Sequence, residues 1–399
     1  MKVVIVNTVI GTGSVGRISC GIADEVIKRG GRALLCRGRG QEVQGYENYR
    51  VGCDADMYIH GILSRITDRQ GLYSSAATKG LIRRIEEYDP DIIQLHNIHG
   101  YYLNYRLLFD YLKKSGRKTV WTLHDCYSFT GHCVHFEYRN CMKWESGECG
   151  HCPEIREYPA SYLFDRSREN YGIKKEAYTG LKNLHLVTPS EYLKDKIERS
   201  FLAGYPVKVI NTGIDLGVFK PGKESIREKY HIGDRILILG VANPWRERKG
   251  LYDFAKLYAK LDPDKYALAL MGLKKKQAEG LPSGIIKPGR TDSIQEMAEW
   301  YRASDVYMNL TYEDTFPTTN IEALACGTPV VTYASGGSGE IIDKNTGVMT
   351  PKGDVDKALQ AVDLFGRKKE EISRKCVEKA GAYNKDIKYN EYYELYKAL

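Results

Sequence analysis

Two carboxylates and the start of a helix lie close together near position 315. The segment 305–331 reads D-V-Y-M-N-L-T-Y-E-D-T-F-P-T-T-N-I-E-A-L-A-C-G-T-P-V-V. An apolar strand ends at Asn309-Leu310-Thr311, and the acidic pair Glu313-Asp314 follows. Thr318-Thr319-Asn320 then feed a helix whose first turn carries Glu322. Amide hydrogens at a helix N-terminus lack intrahelical acceptors and sit at the positive end of the dipole, which suits a diphosphate. A carboxylate beside them can accept hydrogen bonds from sugar or ribose hydroxyls. Upstream, Arg246, Arg248 and Lys249 follow an apolar run that ends at Val241. Cations opening a helix oppose its dipole, so their place there calls for an anionic ligand. These groups suit a reaction in which a pyrophosphate departs and its growing charge must be stabilised.

Three further sets could carry chemistry. His124-Asp125 follow the apolar run 118–123, and His96 and His99 follow the run 91–95. Gly11-Thr12-Gly13-Ser14-Val15-Gly16 matches G-x-G-x-x-G between a strand and a helix. Thr8-Val9-Ile10 separate that strand, read as 2–7, from the first glycine. The second strand closes in Cys36-Arg37-Gly38-Arg39, with no acid for a ribose hydroxyl. Arg37 and Arg39 suit a 2′-phosphate, which keeps an NADP-dependent oxidoreductase as an alternative. The preferred reading turns the backbone near Gly13 toward another diphosphate or an acceptor. Finally, Cys133, Cys141, Cys149 and Cys152 are spaced C-x7-C-x7-C-x2-C, and four thiolates can hold a structural zinc. His132, His135, His151 and Cys126 compete as ligands, and free thiols or disulfides are the other readings.

Strands alternating with helices must position these groups. The first half reads as strands at 2–7, 32–36, 91–95, 118–123 and 184–188, with helices at 17–29, 80–88, 105–115 and 166–181. A second series starts at the strand 235–241 and continues through strands 266–271, 306–309 and 329–333. Continuous apolar strands alternating with helices predict parallel sheets covered on both faces, with ligands at the carboxyl ends of the strands. A chain of 399 residues suits two such domains. We place them at 1–208, carrying a Cys-rich insert at 126–153, and at 209–382, with 383–399 returning to the first. The class is α/β, with two facing Rossmann-like doubly wound domains and a cleft between them.

Charge narrows the partners. The net charge of +8 is divided between both halves and suits a phosphate-bearing substrate or an anionic membrane face. No dense basic stripe or nucleic-acid motif is present, so nucleic acid is excluded as a partner. No apolar run reaches the roughly 20 residues that span a bilayer, and the N-terminus reads as a strand rather than a signal peptide. A cytoplasmic location, peripheral at the inner membrane face, follows as the expectation.

The segment 305–331 resembles the E-x7-E region of retaining glycosyltransferases of family 4, which have the GT-B fold. Glu322-Ala323-Leu324-Ala325-Cys326-Gly327-Thr328-Pro329-Val330 is similar to the stretch after the family's second acid, and the first acid aligns with Asp314 beside Glu313. Arg248-Lys249-Gly250 resembles the family's basic pair, although Asn243-Pro244-Trp245-Arg246 stands where the usual G-R-L would precede it. Gly336-Gly337-Ser338-Gly339-Glu340 resembles its G-G-x-x-E. The cysteines, with His124-Asp125 and Phe129-Thr130-Gly131, resemble an insert of polysaccharide-assembly members.

The resemblance implies a retaining hexosyltransferase that uses a UDP- or GDP-sugar and needs no cofactor for catalysis. The acceptor would be a saccharide or a lipid-linked saccharide in surface polysaccharide synthesis. It implies that Lys249, Arg248 and Arg246 neutralise the diphosphate with the amides of Thr318, Thr319 and Asn320. Glu322 would bind the ribose, Glu313 or Asp314 the transferred sugar, and His124 would orient that sugar. A non-catalytic sugar-nucleotide-binding protein and a UDP-sugar epimerase are the remaining alternatives.

Overall fold

Apolar residues that are buried on both faces of a strand need neighbours on both sides. The run Val3–Val6 is fully buried and pairs in parallel with two other strands. A computed structural model describes residues 1–291 and 293–399. It divides into Met1–Asn211 with Lys388–Leu399, and Thr212–Ile387.

The first unit contains β1 (Lys2–Val9), β2 (Arg32–Arg39), β3 (Glu47–Arg50), β4 (Ile92–Leu95), β5 (Thr119–Thr122), β6 (Leu184–Thr188) and β7 (Val207–Val209). Its sheet runs β3-β2-β1-β4-β5-β6-β7. The second contains β8 (Ile236–Val241), β9 (Tyr266–Met271), β10 (Ile286–Gly289), β11 (Val306–Asn309), β12 (Val330–Tyr333) and β13 (Gly347–Thr350). Its sheet runs β10-β9-β8-β11-β12-β13. The pairings in both sheets are parallel. Strand order reverses beside β1 and β4 in one unit and beside β8 and β11 in the other. Loops leaving such a switch point bind ligands in doubly wound sheets.

Several elements depart from the sequence expectation. β1 runs to Val9 and β2 to Arg39, so only Ile10 separates the first strand from Gly11. β3 (E-N-Y-R) and the Pro-containing β10 lie at sheet edges, where polar residues and a missing amide are tolerated. A helix Asp54–Thr67 was not expected, because its apolar residues face solvent. The first unit ends at Asn211 rather than 208, and its returning segment begins at Lys388 rather than 383.

That returning segment completes a core. Tyr389, Tyr392 and Tyr396 join the cluster of Val3, Ile5, Ile18 and Ile22. Gly21 leaves room for the Tyr389 ring, which would lie 2.0 Å from a Cβ there. The Tyr396 hydroxyl donates to Gln94 Oε1 at 2.7 Å, while Gln94 Nε2 donates to Thr122 Oγ1 at 2.9 Å. The Tyr392 and Thr122 hydroxyls are 3.1 Å apart. Tyr396→Phe strands a fully buried amide oxygen, and we expect it to cost about 1–3 kcal/mol. Urea denaturation of the full chain measures this, and an unchanged midpoint would refute the role of that hydroxyl.

Candidate functional site

In the second unit, the loop after β8 is fixed before it reaches its cations. Trp245 is buried, donates from Nε1 to the Met271 carbonyl at 2.8 Å, and packs edge-on against Phe254. Its own carbonyl accepts from Gln277 Nε2 at 2.9 Å. A single 3₁₀ turn, Glu247–Lys249, follows and closes at Gly250 with φ 75°. A Cβ at 250 would stand 2.2 Å from the Leu310 carbonyl oxygen, so only glycine lets the turn reach the end of β11. The contact is sealed where Tyr312 N donates to the Arg248 carbonyl at 2.8 Å.

This brings the two sequence-separated charge sets together. Lys249 Nζ lies 2.6 Å from Asp314 Oδ2, and Arg248 Nε lies 3.8 Å from Glu313 Oε1. Glu313 is buried, whereas Asp314 keeps partial exposure. Arg248 Nη1 is buried and has no hydrogen-bond partner among the described residues. Arg246 is exposed and precedes the turn. The G-G-x-x-E run seats the acidic loop: Gly337 N donates to the Asp314 carbonyl at 3.2 Å, and a Cβ at Gly336 would collide with that same oxygen.

The helix Thr318–Ala325 opens behind Pro317, whose ring offers no cap, and Asn320 N donates to the Pro317 carbonyl at 3.1 Å, so that amide is not available to an anion as the sequence suggested. Asn320 is buried and accepts from Asn309 Nδ2 at 2.9 Å, which ties the helix start to the end of β11. Glu322 accepts from the Tyr301 hydroxyl at 3.0 Å. Burial, reinforced by Glu322, pushes the Tyr301 phenol well above its ordinary range and keeps it a donor. Gly327 adopts φ 83°, Thr328 N returns to the Ala323 carbonyl and Pro329 follows, so C-G-T-P is a helix stop. Residues 248, 249, 313, 314, 318–320 and 322 thus share one switch point. Tyr301 and Asn309, which hold them, were given no role from sequence, and Gly250 was quoted only as the end of the basic motif. Of these, only Gly250, closing a basic turn, carried a local signal.

In the first unit, His124 follows β5 and meets His96, which follows β4. Their rings stack at 5.3 Å between centroids, with His96 Nδ1 and His124 Nε2 3.0 Å apart. Trp121 Nε1 donates to the His96 carbonyl at 3.0 Å. His99 Nε2 lies 2.9 Å from Asp125 Oδ2, and His99 Nδ1 lies 3.0 Å from the Tyr158 hydroxyl. Burial drives the His124 pKa down to about 4, with His99 adding to the shift and Asp125 opposing it. Burial also pushes His96 well below the ordinary imidazole value. Burial acts to raise Asp125, but His99 and the Tyr127 amide outweigh it and bring the carboxylate to about 2. At neutral pH the pair is therefore two neutral imidazoles beside an ionised carboxylate.

Gly13 opens the helix Gly13–Lys28 in the first unit, with φ 67° and open space where a Cβ would stand. Arg37 is buried and donates to the Gly40 carbonyl and Asn48 Oδ1, each at 3.4 Å, which spends it on the fold rather than on a 2′-phosphate. Cys133, Cys141, Cys149 and Cys152 line one small cavity with Phe136 and Trp144. The Cys133 thiol donates to Cys152, while the Gly131 and Glu154 amides hydrogen-bond to Cys149 and Cys152 respectively. Among the described residues, no three His, Cys, Asp or Glu side chains are grouped to hold a metal ion. The arrangement is a thiol–thiol pair with two neighbouring thiols.

Tandem doubly wound units with a charged switch point are the architecture of the GT-B fold. Residues 15–218, just over half of the chain, match the model for Glycosyltransferase Family 4, and residues 233–365 match that for Glycosyl transferases group 1. The chain belongs to glycosyltransferase family 4. It is 24% identical over 326 residues to a putative colanic acid biosynthesis glycosyl transferase of Escherichia coli, covering 78% of this chain and 77% of that protein. It is 27% identical over 204 residues to D-inositol 3-phosphate glycosyltransferase of Kribbella flavida, covering 45% and 48%. Among solved structures, sucrose-phosphate synthase from Thermosynechococcus elongatus superposes with a TM-score of 0.70 at 14% identity, covering 100% and 98%. Anabaena HepE in complex with UDP superposes with 0.67 at 13%, covering 100% of both chains. The protein is thus a glycosyltransferase, which removes the oxidoreductase, the epimerase and the non-catalytic binder. Among the described residues, no helix is long and apolar enough to cross a membrane.

The histidine pair sets a pH dependence. His124 titrates near 6.5 when unfolded and near 4 when folded, so the unfolded chain binds the proton first as pH falls. Stability is therefore fully present above about 6.5 and declines as pH falls toward about 4. His124→Asn should flatten that slope in urea denaturations across this window. An unaltered slope would contradict the buried neutral imidazole.

Proposed function

We propose that the protein transfers a sugar, with retention of configuration, from a nucleotide-diphosphate donor to a saccharide or lipid-linked saccharide acceptor in surface polysaccharide synthesis. The observation that carries the donor reading is the pairing of Lys249 and Arg248 with Asp314 and Glu313 beside an uncapped helix start. HepE, of the same fold, was solved with UDP and with UDP-glucose, which supports a uridine donor. The Escherichia coli relative, described as a colanic acid biosynthesis enzyme, supports the acceptor class.

In this reading Lys249, Arg248 and the amides of Thr318 and Thr319 hold the diphosphate, the Asn320 amide being spent on the Pro317 carbonyl, and Arg246 adds charge at the rim. The bond between the anomeric carbon and the diphosphate oxygen breaks while the acceptor hydroxyl bonds to that carbon. The hydroxyl proton passes to the departing diphosphate. Preorganised cations and amides stabilise the charge that builds there. Glu322, oriented by Tyr301, takes the ribose hydroxyls. Asp314, more exposed than Glu313, receives the transferred sugar. His124, neutral at working pH, orients that sugar as a hydrogen-bonding group, and Gly13 lies on the acceptor-binding unit. Zinc has no part in these steps.

A labelled-donor assay tests the assignment. Lys249→Ala should lower kcat by about 10²–10³-fold, as removing one preorganised charge-stabilising donor does elsewhere. Glu322→Ala should act mainly on KM, as lost ground-state binding does. UDP at 100 times its Kd should stabilise the wild type by about 2.7 kcal/mol in a thermal-shift series. Unchanged transfer in both variants would remove the site from consideration.

A further inference from the structure

His96 is a buried polar side chain that the proposed transfer leaves unused. It is 1% exposed, and its backbone is tied down on both sides. His96 N donates to the Val6 carbonyl at 3.0 Å, and its own carbonyl accepts from Trp121 Nε1 at 3.0 Å. Both bonds belong to the backbone and would survive a leucine side chain. The ring itself makes one hydrogen bond among the described residues, between Nδ1 and His124 Nε2 at 3.0 Å. Its Nε2 is buried with no partner there. An apolar side chain in that place would avoid the desolvation of an unpartnered nitrogen. The imidazole is therefore explained by what its other nitrogen does to His124.

His124 lies just beyond β5 and keeps partial exposure. Leu123 N donates to the Val187 carbonyl at 2.9 Å, which fixes the backbone behind it. The two rings stack 24° from parallel, which limits rotation of either one.

Two neutral imidazoles in this contact must divide the roles: one nitrogen donates and the other accepts. If His124 Nε2 donates, the His96 proton sits on Nε2, as an N–H buried without an acceptor. If His96 Nδ1 donates, the orphan at Nε2 is a lone pair. Orphaned buried N–H groups are the rarer kind in folded proteins, which favours the second arrangement. His124 Nε2 then accepts, and the single proton of that ring lies on Nδ1.

We infer that His96 is a positioning residue that fixes His124 as its Nδ1–H tautomer. The inference rests on the reading in which His124 orients the transferred sugar, and it adds the polarity of that contact. His124 Nδ1 donates to a hydroxyl oxygen of the hexose. The other tautomer would present a lone pair and require the hydroxyl to donate instead. A ring held in one tautomer needs no proton shift when the sugar arrives, so the contact is organised before binding.

Histidine-labelled full-length protein tests it. At neutral pH a long-range proton–nitrogen correlation spectrum reads which nitrogen of each ring bears the proton, and the signal lost in His124→Asn assigns the site. Without ligand, wild type should show His124 as Nδ1–H. His96→Leu should return it to a mixture of both tautomers. His96→Asn, whose amide nitrogen takes the place of Nδ1, should restore Nδ1–H. Calorimetric titration with UDP, GDP and a panel of their hexose conjugates supplies the functional readout. His96→Leu should weaken binding of the accepted sugar nucleotide by about tenfold, the worth of one hydrogen bond, and leave the bare diphosphate unchanged. His96→Asn should recover most of that loss. An Nε2–H form of His124 in wild type, an unchanged tautomer in His96→Leu, or an equal loss of bare-diphosphate affinity would overturn the proposal. If His96→Leu does not fold, the wild-type tautomer decides alone. Failure of wild type to bind any member of the panel would count against the donor reading only, because the position of the proton is read without ligand.

Discussion

The charged switch point of the second unit depends on one backbone contact. The Cα of residue 250 passes so close to the Leu310 carbonyl that no side chain fits. That approach lets a turn leaving β8 form hydrogen bonds with a loop leaving β11. Without it, Lys249 and Arg248 could not lie against Asp314 and Glu313. Removing two ion pairs from water seldom stabilises a fold, because desolvation offsets most of the attraction. Their retention beside an uncapped helix start makes sense when an anion competes for the cations. Arg248 Nη1, buried without a partner, is already short of an acceptor.

The first unit works through the opposite electrostatics. Stacked imidazoles in a buried setting cannot both carry charge, and burial keeps His96 and His124 neutral. The ionised Asp125 takes hydrogen bonds at His99 and from the Tyr127 amide, and its charge only partly offsets the burial of His124. A neutral imidazole can donate or accept at a sugar hydroxyl without placing a cation near an oxocarbenium-like carbon. The charged pairs at the second unit's switch point thus contrast with the neutral imidazoles at the first unit's.

What was legible in the sequence follows from locality. The strands with unbroken apolar runs were readable, because burial on both faces leaves no other composition open to them. The charged residues of the second unit were readable because helix-start chemistry and acid spacing are local. Tyr301 lies 21 residues before Glu322 and Gly336 lies 22 after Asp314, and only folding shows what each supports. β3 and β10 hid because edge strands need little apolar character. The four cysteines were readable as a cluster, but their spacing did not reveal that Cys133 would pair with Cys152.

The helix Asp54–Thr67 hid for a different reason: its periodicity is regular but points the wrong way. A reading that assigns apolar stripes to cores has no place for one facing solvent. The Cys-rich insert supplies the missing context. Asp68, at the end of that helix, accepts from His132 Nδ1 at 2.5 Å and from the Arg166 amide at 2.8 Å. Asp165 in turn holds the Cys152 amide. The insert therefore clamps both the helix and the segment 162–164 to one frame. The insert, through His132 and the Cys152 amide, thus serves as the mount that holds this apolar surface outward.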